Sequence, residues 1–154
     1  MRFVVRDDRS QLTATKDGKA RVRLTIELAE TKLTHMESLT SQKQFEQASE
    51  VLGTYLGLIE DAMQFVGEMP RDKTGTRDLY RRLDIALRAH IPRLAVMRRE
   101  TPSEFGIHLK AAEEFARSTR TEALESFYGN TVLKEPQERK ADANKATPED
   151  NKRP

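Results

Sequence analysis

The three histidines, His35, His90 and His108, are the side chains of this sequence best suited to acid-base or metal chemistry. Their spacing argues against a metal site, because none of them belongs to a Glu-x-x-His or His-x-x-x-His pair of the kind that helical metal sites use. The chain has no cysteine, which excludes disulfides, thiolate metal sites and cysteine nucleophiles. We therefore predict no metal and no cofactor, and we expect His90, on the apolar side of its helix, to be a hydrogen-bonded core or boundary residue.

Residues 72–76, Asp-Lys-Thr-Gly-Thr, resemble the phosphorylation signature of P-type ion pumps, in which the aspartate becomes an aspartyl-phosphate. That chemistry requires the aspartate to follow a buried strand of an α/β domain, and pumps also need membrane helices. Neither is predicted for this chain, so we interpret the segment as a loop between helices in which Thr76 caps the next helix. Without a phosphate-binding glycine loop or a serine nucleophile motif elsewhere, the chain is predicted not to be an enzyme.

Basic side chains are concentrated between residues 71 and 99, which hold nine Arg or Lys against three Asp, whereas residues 100–129 hold three against six Glu. This asymmetry makes the third predicted helix the basic element of the chain. The whole chain is nearly balanced, with 27 basic and 25 acidic residues and a net charge of +2, so its overall charge indicates no partner.

Four arginines of the third predicted helix are the candidate partner surface. At about 100° per residue, Arg77, Arg81 and Arg88 share a stripe opposite the apolar face, and Arg99 joins them if the helix stays nearly straight. The stripe predicts a solvated face that pairs with acidic neighbours or contacts an anionic partner. Tyr80 is the one aromatic residue near the stripe, and stacking of nucleic-acid bases requires several, so nucleic acid is not the expected partner.

Gly53 and Gly57 form a Gly-x-x-x-Gly pair within the second predicted helix. In a membrane this pair would indicate helix dimerisation, but Glu50, Glu60 and Asp61 surround it and exclude that interpretation. Two glycines also lower helix stability by about 1 kcal/mol each relative to alanine. We predict that they allow a neighbouring helix to approach closely, with a groove for a partner as the alternative.

Apolar residues that recur at gaps of three and four predict an all-α fold, an antiparallel up-down bundle of about four helices. No stretch is long enough to cross a membrane. The first predicted helix begins near residue 20, and Pro92 is expected to bend or interrupt the third. The predicted domain organisation has three parts: an N-terminal extension over residues 1–18, a bundle over 19–130 and a disordered tail over 131–154. The extension is predicted to be irregular or to form short strands, with a hairpin turn at its end.

Local capping signals give the other predicted helix ends. Ser41 with Gln44 fits a capping box that opens the second helix. Thr101 before Pro102 fits an N-cap with proline at the first helical position of the fourth helix, and Gly129 is placed as its left-handed C-terminal cap. The apolar run near the start of the chain is too short for a signal peptide, so we expect a soluble cytoplasmic protein, or an extracytoplasmic one if a leader has been removed.

Residues 20–129 resemble small helical domains of unknown function in bacterial proteins, some of them secreted or membrane-anchored. The stretches that carry the likeness are Phe45-Glu46-Gln47-Ala48, Leu83-Asp84-Ile85-Ala86-Leu87 and Arg120-Thr121-Glu122-Ala123-Leu124. The sequence thus favours a non-enzymatic interaction or structural domain that binds a protein partner or itself. The alternative is a small regulator that binds an anionic polymer through the third helix, which a steep salt dependence would reveal.

Overall fold

The computed structural model describes the backbone of residues 1–70 and 73–132, with side chains to residue 127. This part of the chain is helical apart from short connections and contains no strand. Its helices are α1 (Arg6–Ala14), α2 (Gly18–Ser41), α3 (Phe45–Gly67), α4 (Thr74–Glu100) and α5 (Ser103–Val132). The all-helical class is confirmed for the described residues, with α2 to α5 as the four predicted helices and α1 as an additional one. Two predicted features lie outside the described residues. They are Asp72 of the pump-like motif and most of the predicted tail, residues 133–154.

The prediction of irregular structure or short strands before α2 is wrong, because residues 6–14 form α1. Two aspartates in its first turn interact favourably with the helix dipole, and Leu12 is fully buried in the main core. Burial of this kind is what stabilises so short a helix. Asp17 likewise forms no hairpin turn. It caps α2, its carboxylate accepting a hydrogen bond of 3.0 Å from the Ala20 amide.

The turn between α2 and α3 differs from the predicted capping box. Ser41 is the last residue of α2, and α3 begins at Phe45. Lys43 adopts a left-handed φ of 60°, and the amides of Lys43 and Gln44 donate hydrogen bonds of 3.0 and 2.8 Å to carbonyls in the last turns of α2. This is the hydrogen-bond pattern of a Schellman motif. The sequence does not indicate it, because lysine occupies the left-handed position that glycine usually takes.

Three further capping predictions are wrong. Thr76 is buried in the first turn of α4, and Lys73 is the residue before that helix. Thr101 donates its hydroxyl to the Met97 carbonyl at 2.6 Å, so it belongs to the end of α4 and does not open α5. Gly129 lies within α5 and does not terminate it. Threonine hydroxyls can bond carbonyls of the preceding turn as well as amides of the following one, and sequence alone does not separate the two.

Pro92 does not interrupt α4, which is continuous on both sides of it. Proline removes the backbone hydrogen bond to the carbonyl four residues earlier, that of Arg88. Leu87 and Leu94, on either side of the proline, are both fully buried in the main core and hold the helix there. The continuity of α4 keeps Arg99 in the helical register of the arginines that precede Pro92.

Helices α2 to α5 form a bundle in which α2 pairs with α3 and α4 pairs with α5. The two hairpins pack side by side, with α2 along α4 and α3 along α5. These facing helices run parallel. Leu79 near the start of α4 lies beside Gly18 at the start of α2, and Phe45 and Phe105 stack where α3 and α5 begin. Helices α3 and α4 are consecutive in sequence but diagonal in the bundle. The alternating direction of the four helices agrees with an up-down bundle, but not every sequential pair is adjacent.

The interior contains a large hydrophobic cluster around Leu33, Tyr55 and Leu94 and a smaller one around Val22, Val66 and Leu83. These residues occupy the faces that the apolar periodicity predicts for each helix. None of the described helices is long and apolar enough to cross a membrane.

Candidate interaction surfaces

The basic stripe of α4 is largely where the sequence places it. Arg81, Arg88 and Arg99 are exposed. Arg77 is half-buried, so its predicted place in the exposed stripe is wrong. It lies seven residues, or about two helical turns, before the buried Asp84, on the flank of α4 that packs against α5.

Large apolar side chains are exposed on the same side of α4 as the three arginines. Ile85 is 53% exposed and Val96 is 47% exposed. Pro92 is exposed between them. The spacing of these positions by three or four residues places them in one helical stripe. We call this stripe the α4 outer face, defined by Arg81, Ile85, Arg88, Pro92, Val96 and Arg99.

The arginines of the α4 outer face are only weakly engaged within the chain. Arg88 lies 3.4 Å from an Asp84 carboxylate oxygen, and Arg99 donates to the Ala95 carbonyl at 3.4 Å. Among the described residues, Arg81 has no hydrogen bond or ion pair. The face therefore keeps guanidinium groups available to carboxylates of another molecule.

Two buried carboxylates join α4 to α5, and the sequence gives no direct signal for either. Asp84 accepts a hydrogen bond of 2.8 Å from the Arg120 Nε across the helix interface. Glu113 on α5 binds Arg98 on α4 in the same way, and both carboxylates are almost fully buried. The Arg98–Glu113 pair thus joins a basic residue of α4 to an acidic residue of α5, whereas the Asp84–Arg120 pair joins the same two helices with the opposite polarity. The sequence pattern shows the charge asymmetry but not which members lie at the interface.

His90 is a core residue, as predicted, with 1% of its surface exposed. The hydroxyl of Tyr55 lies 2.9 Å from its Nδ1, and the Glu30 carboxylate lies 3.7 Å from its Nε2. Burial lowers the pKa of His90, an effect that Glu30 opposes and Arg93 reinforces. Burial also raises the pKa of Tyr55. The phenol therefore stays protonated, and it can donate to Nδ1 in the imidazole tautomer that carries its proton on Nε2, facing Glu30.

Gly53 and Gly57 receive an extended segment of the chain itself, not a neighbouring helix as predicted. A Cβ on Gly53 would lie 2.3 Å from the Met1 carbonyl oxygen, and a Cβ on Gly57 would lie 2.2 Å from the Phe3 carbonyl oxygen. The Phe3 amide donates a hydrogen bond of 3.2 Å to the Gly53 carbonyl. The prediction of close approach is thus correct in kind, but the approaching element is the segment Met1–Phe3.

His35 and His108 are exposed on α2 and α5, and His90 is buried on α4, so the three histidines remain on separate helices. Within residues 1–70 and 73–132 no three His, Asp or Glu side chains are grouped to hold a metal ion. Comparison with protein-family models, with curated proteins and with solved structures gave no match to this chain. Its functional assignment therefore depends on the geometry of its own surfaces.

Proposed function

We propose that this chain is a non-enzymatic helical interaction domain that binds an acidic protein segment through the α4 outer face. The observation that carries the proposal is the alternation of exposed arginines with the exposed side chains of Ile85 and Val96 along one helix. An apolar surface flanked by charge is typical of a protein-binding site.

The chemistry of the face favours an amphipathic acidic helix as the bound element. Its apolar side would cover Ile85 and Val96, and its flanking carboxylates would pair with Arg81, Arg88 and Arg99. A phosphate backbone would use the arginines alone, because it offers nothing apolar to pack on Ile85. The exposed isoleucine thus favours a protein partner over an anionic polymer.

The non-enzymatic part of the proposal is supported by the position of His90. This imidazole has an altered pKa and a hydrogen-bonded neighbour, as a general base would. Both His90 and Tyr55 are enclosed in the core, where a substrate could not reach them. Their pairing is accounted for by packing between α3 and α4.

The test measures binding of a fluorescent amphipathic helix that carries leucine on one side and glutamate on both flanks. We expect Ile85→Asp, and separately Arg81→Glu with Arg88→Glu, to weaken binding by about tenfold or more, or 1.4 kcal/mol. The matched control is Lys110→Glu, an equal change of charge per site at an exposed position of α5, which should leave the affinity unchanged.

A labelled DNA duplex, titrated over a range of salt, distinguishes the alternative partner. Tight binding of the duplex that falls steeply with salt and is insensitive to Ile85→Asp would assign the face to an anionic polymer. Peptide binding that survives both sets of substitutions would show that the α4 outer face is not the docking surface.

A further inference from the structure

A second exposed stripe, on α5, is turned away from α4. Glu113 and Arg120 mark the side of α5 that contacts α4, through their ion pairs with Arg98 and Asp84. Exposed residues spaced by three or four positions follow another side of the helix, more than about 90° around from that contact. We call this stripe the α5 outer face, defined by Glu104, Ile107, Ala111, Glu114, Ser118 and Glu122.

The α5 outer face has the properties that the α4 outer face requires of a partner, because it is acidic and carries an exposed apolar side chain. Ile107 is 64% exposed. In the helices, as far as residue 127, the large apolar side chains that are exposed are Ile107, Ile85 and Val96, all on these two faces. The three glutamates of the α5 outer face have no hydrogen bond or ion pair within the described part of the chain. They are therefore available to arginines of another molecule.

The charges on the two faces have matching spacings when the helices are antiparallel. The arginines of the α4 outer face, at 81, 88 and 99, are separated by seven and eleven residues. Read backwards from residue 122, the glutamates of the α5 outer face are separated by eight and ten. Because a helix rises 1.5 Å per residue, the two series stay in register to within about 1.5 Å. In this register the opposite pairs are Arg81 with Glu122, Arg88 with Glu114 and Arg99 with Glu104.

The same register brings exposed apolar residues together. Val96 and Ile107 each lie three residues from the charged residue at the end of their stripe, so they are opposite each other. Pro92 is opposite Ala111, whose small side chain permits close approach of the helices. Ile85 is the exception, since it faces a serine. A shift of one turn in either direction would separate Val96 from Ile107, so charge and apolar contact define the same register.

We propose that the partner of the α4 outer face is the α5 outer face of a second copy of this chain, packed antiparallel to it. This inference rests on the function proposed above and names the partner of that face. Because the α5 outer face is turned away from α4, two copies cannot close both contacts at once. The contact is therefore heterologous, and a pair of copies keeps one free face of each kind. Further copies add to these faces until a ring closes or a filament forms.

The contact involves one helix of each copy, which is less than the interface of a stable dimer, so association should be reversible and should rise with concentration. Three of its pairs are ionic and lie near the surface, so added salt should weaken it. Lys110 and Arg117 border the α5 outer face on the side of α4. An α4 helix displaced toward them would meet like charge, which favours the central position.

The experiment measures the average mass of the full-length chain by sedimentation over a wide range of concentration. We expect the mass to rise beyond that of a dimer. Val96→Asp and Ile107→Asp each place a carboxylate in the apolar contact, and each should weaken association about tenfold or more. Gln47→Asp, an equal change of charge at an exposed position of α3, is the matched control and should associate like the wild type.

Mixing the two variants tests the heterologous geometry. Val96→Asp keeps an intact α5 outer face, and Ile107→Asp keeps an intact α4 outer face. An equal mixture should therefore form a dimer with one copy of each and nothing larger, although each variant alone stays monomeric. Formation of this dimer would also show that both variants are folded, because it needs an intact face from each.

Three results would overturn the proposal. The first is a wild type that stays monomeric at all concentrations; if the acidic model helix still binds to its α4 outer face, the function proposed above stands and its partner is another protein. The second is association that Ile107→Asp leaves unchanged, because the α4 outer face would then contact another part of the second copy. The third is a mixture of the two variants that stays monomeric while the wild type associates.

Discussion

The hydroxyl of Tyr55 on α3 lies 2.9 Å from Nδ1 of His90 on α4, and this contact joins the two helices that are diagonal in the bundle. Both side chains are buried at the centre of the fold. Apolar side chains alone would permit several ways of arranging four amphipathic helices. The hydrogen bond between Tyr55 and His90 disfavours helix arrangements that separate the two side chains. Any such arrangement would bury a polar group without a hydrogen-bond partner.

Tyr55→Phe should therefore destabilise the protein although it changes only one atom. It leaves Nδ1 of His90 buried without a donor, which we expect to cost about 1 to 3 kcal/mol. Urea denaturation of the wild type, Tyr55→Phe, His90→Leu and the double variant gives the coupling energy. If the two single changes were additive, the contact would contribute nothing specific to stability.

The stability of the protein should depend on the protonation of His90. Its pKa is lowered in the fold from the usual 6.5, so the unfolded chain binds the proton more readily. The stability contributed by the neutral imidazole is fully present above about pH 6.5 and is lost as the pH falls through that value toward the lower folded pKa, with a slope of at most about 1.4 kcal/mol per pH unit. The groups facing the imidazole are Tyr55 from α3, Glu30 from α2 and Arg93 from its own helix.

The measurement is the free energy of unfolding between pH 7 and pH 5, compared between the wild type and His90→Leu. The difference between the two curves should shrink as the pH falls, because the variant has no imidazole to protonate. His108→Gln, at an exposed position of α5, serves as the control and should follow the wild type. Parallel curves for the wild type and His90→Leu would contradict the prediction.

The sequence predicts the faces of the helices better than their ends or their arrangement. Ile59 and Leu83 lie at positions where apolar residues recur at gaps of three and four, and both are buried. The repeat indicates which side of a helix faces the core, so burial can be read from it. The end of α2 after Ser41 depends on the left-handed backbone conformation of Lys43, and lysine gives no sequence signal for that conformation. The diagonal relation of α3 and α4 depends on contacts between distant residues, which no local pattern encodes.

Arg120→Leu should destabilise the protein by about 1 to 3 kcal/mol, because it removes the nearest charge-assisted partner of the buried Asp84. Arg88 remains within 3.4 Å of that carboxylate and limits the loss. Arg81→Leu is the matched control, since Arg81 is exposed and should change stability by less than about 0.5 kcal/mol. Equal effects in thermal denaturation would show that the ion pair between α4 and α5 is not required.

The candidate surfaces could also be predicted from the sequence only in part. Arg81, Arg88 and Arg99 could be recognised because exposure follows from helical phase. Gly53 and Gly57 could be recognised as a site of close approach, but their occupant could not. Only the fold shows that residues 1–3 return to α3, because that contact spans about fifty positions of the chain.

The orientation of α4 can be tested with two neighbouring residues of the same apolar class. Leu83 is fully buried in the smaller cluster, whereas Ile85 is 53% exposed on the α4 outer face. Leu83→Ala removes packed atoms and leaves a cavity, so we expect it to cost about 2 to 5 kcal/mol. Ile85→Ala removes a similar side chain from solvent, and a change of less than about 1 kcal/mol is expected.

Both substitutions shorten a large aliphatic residue to alanine in the interior of one helix, so their differences in helix propensity are small beside the cavity term. Chemical denaturation of the two variants at equal concentration measures the contrast directly. A larger loss for Ile85→Ala than for Leu83→Ala would mean that α4 is rotated about its axis. Ile85 would then be in the core, and the α4 outer face could not be a docking surface.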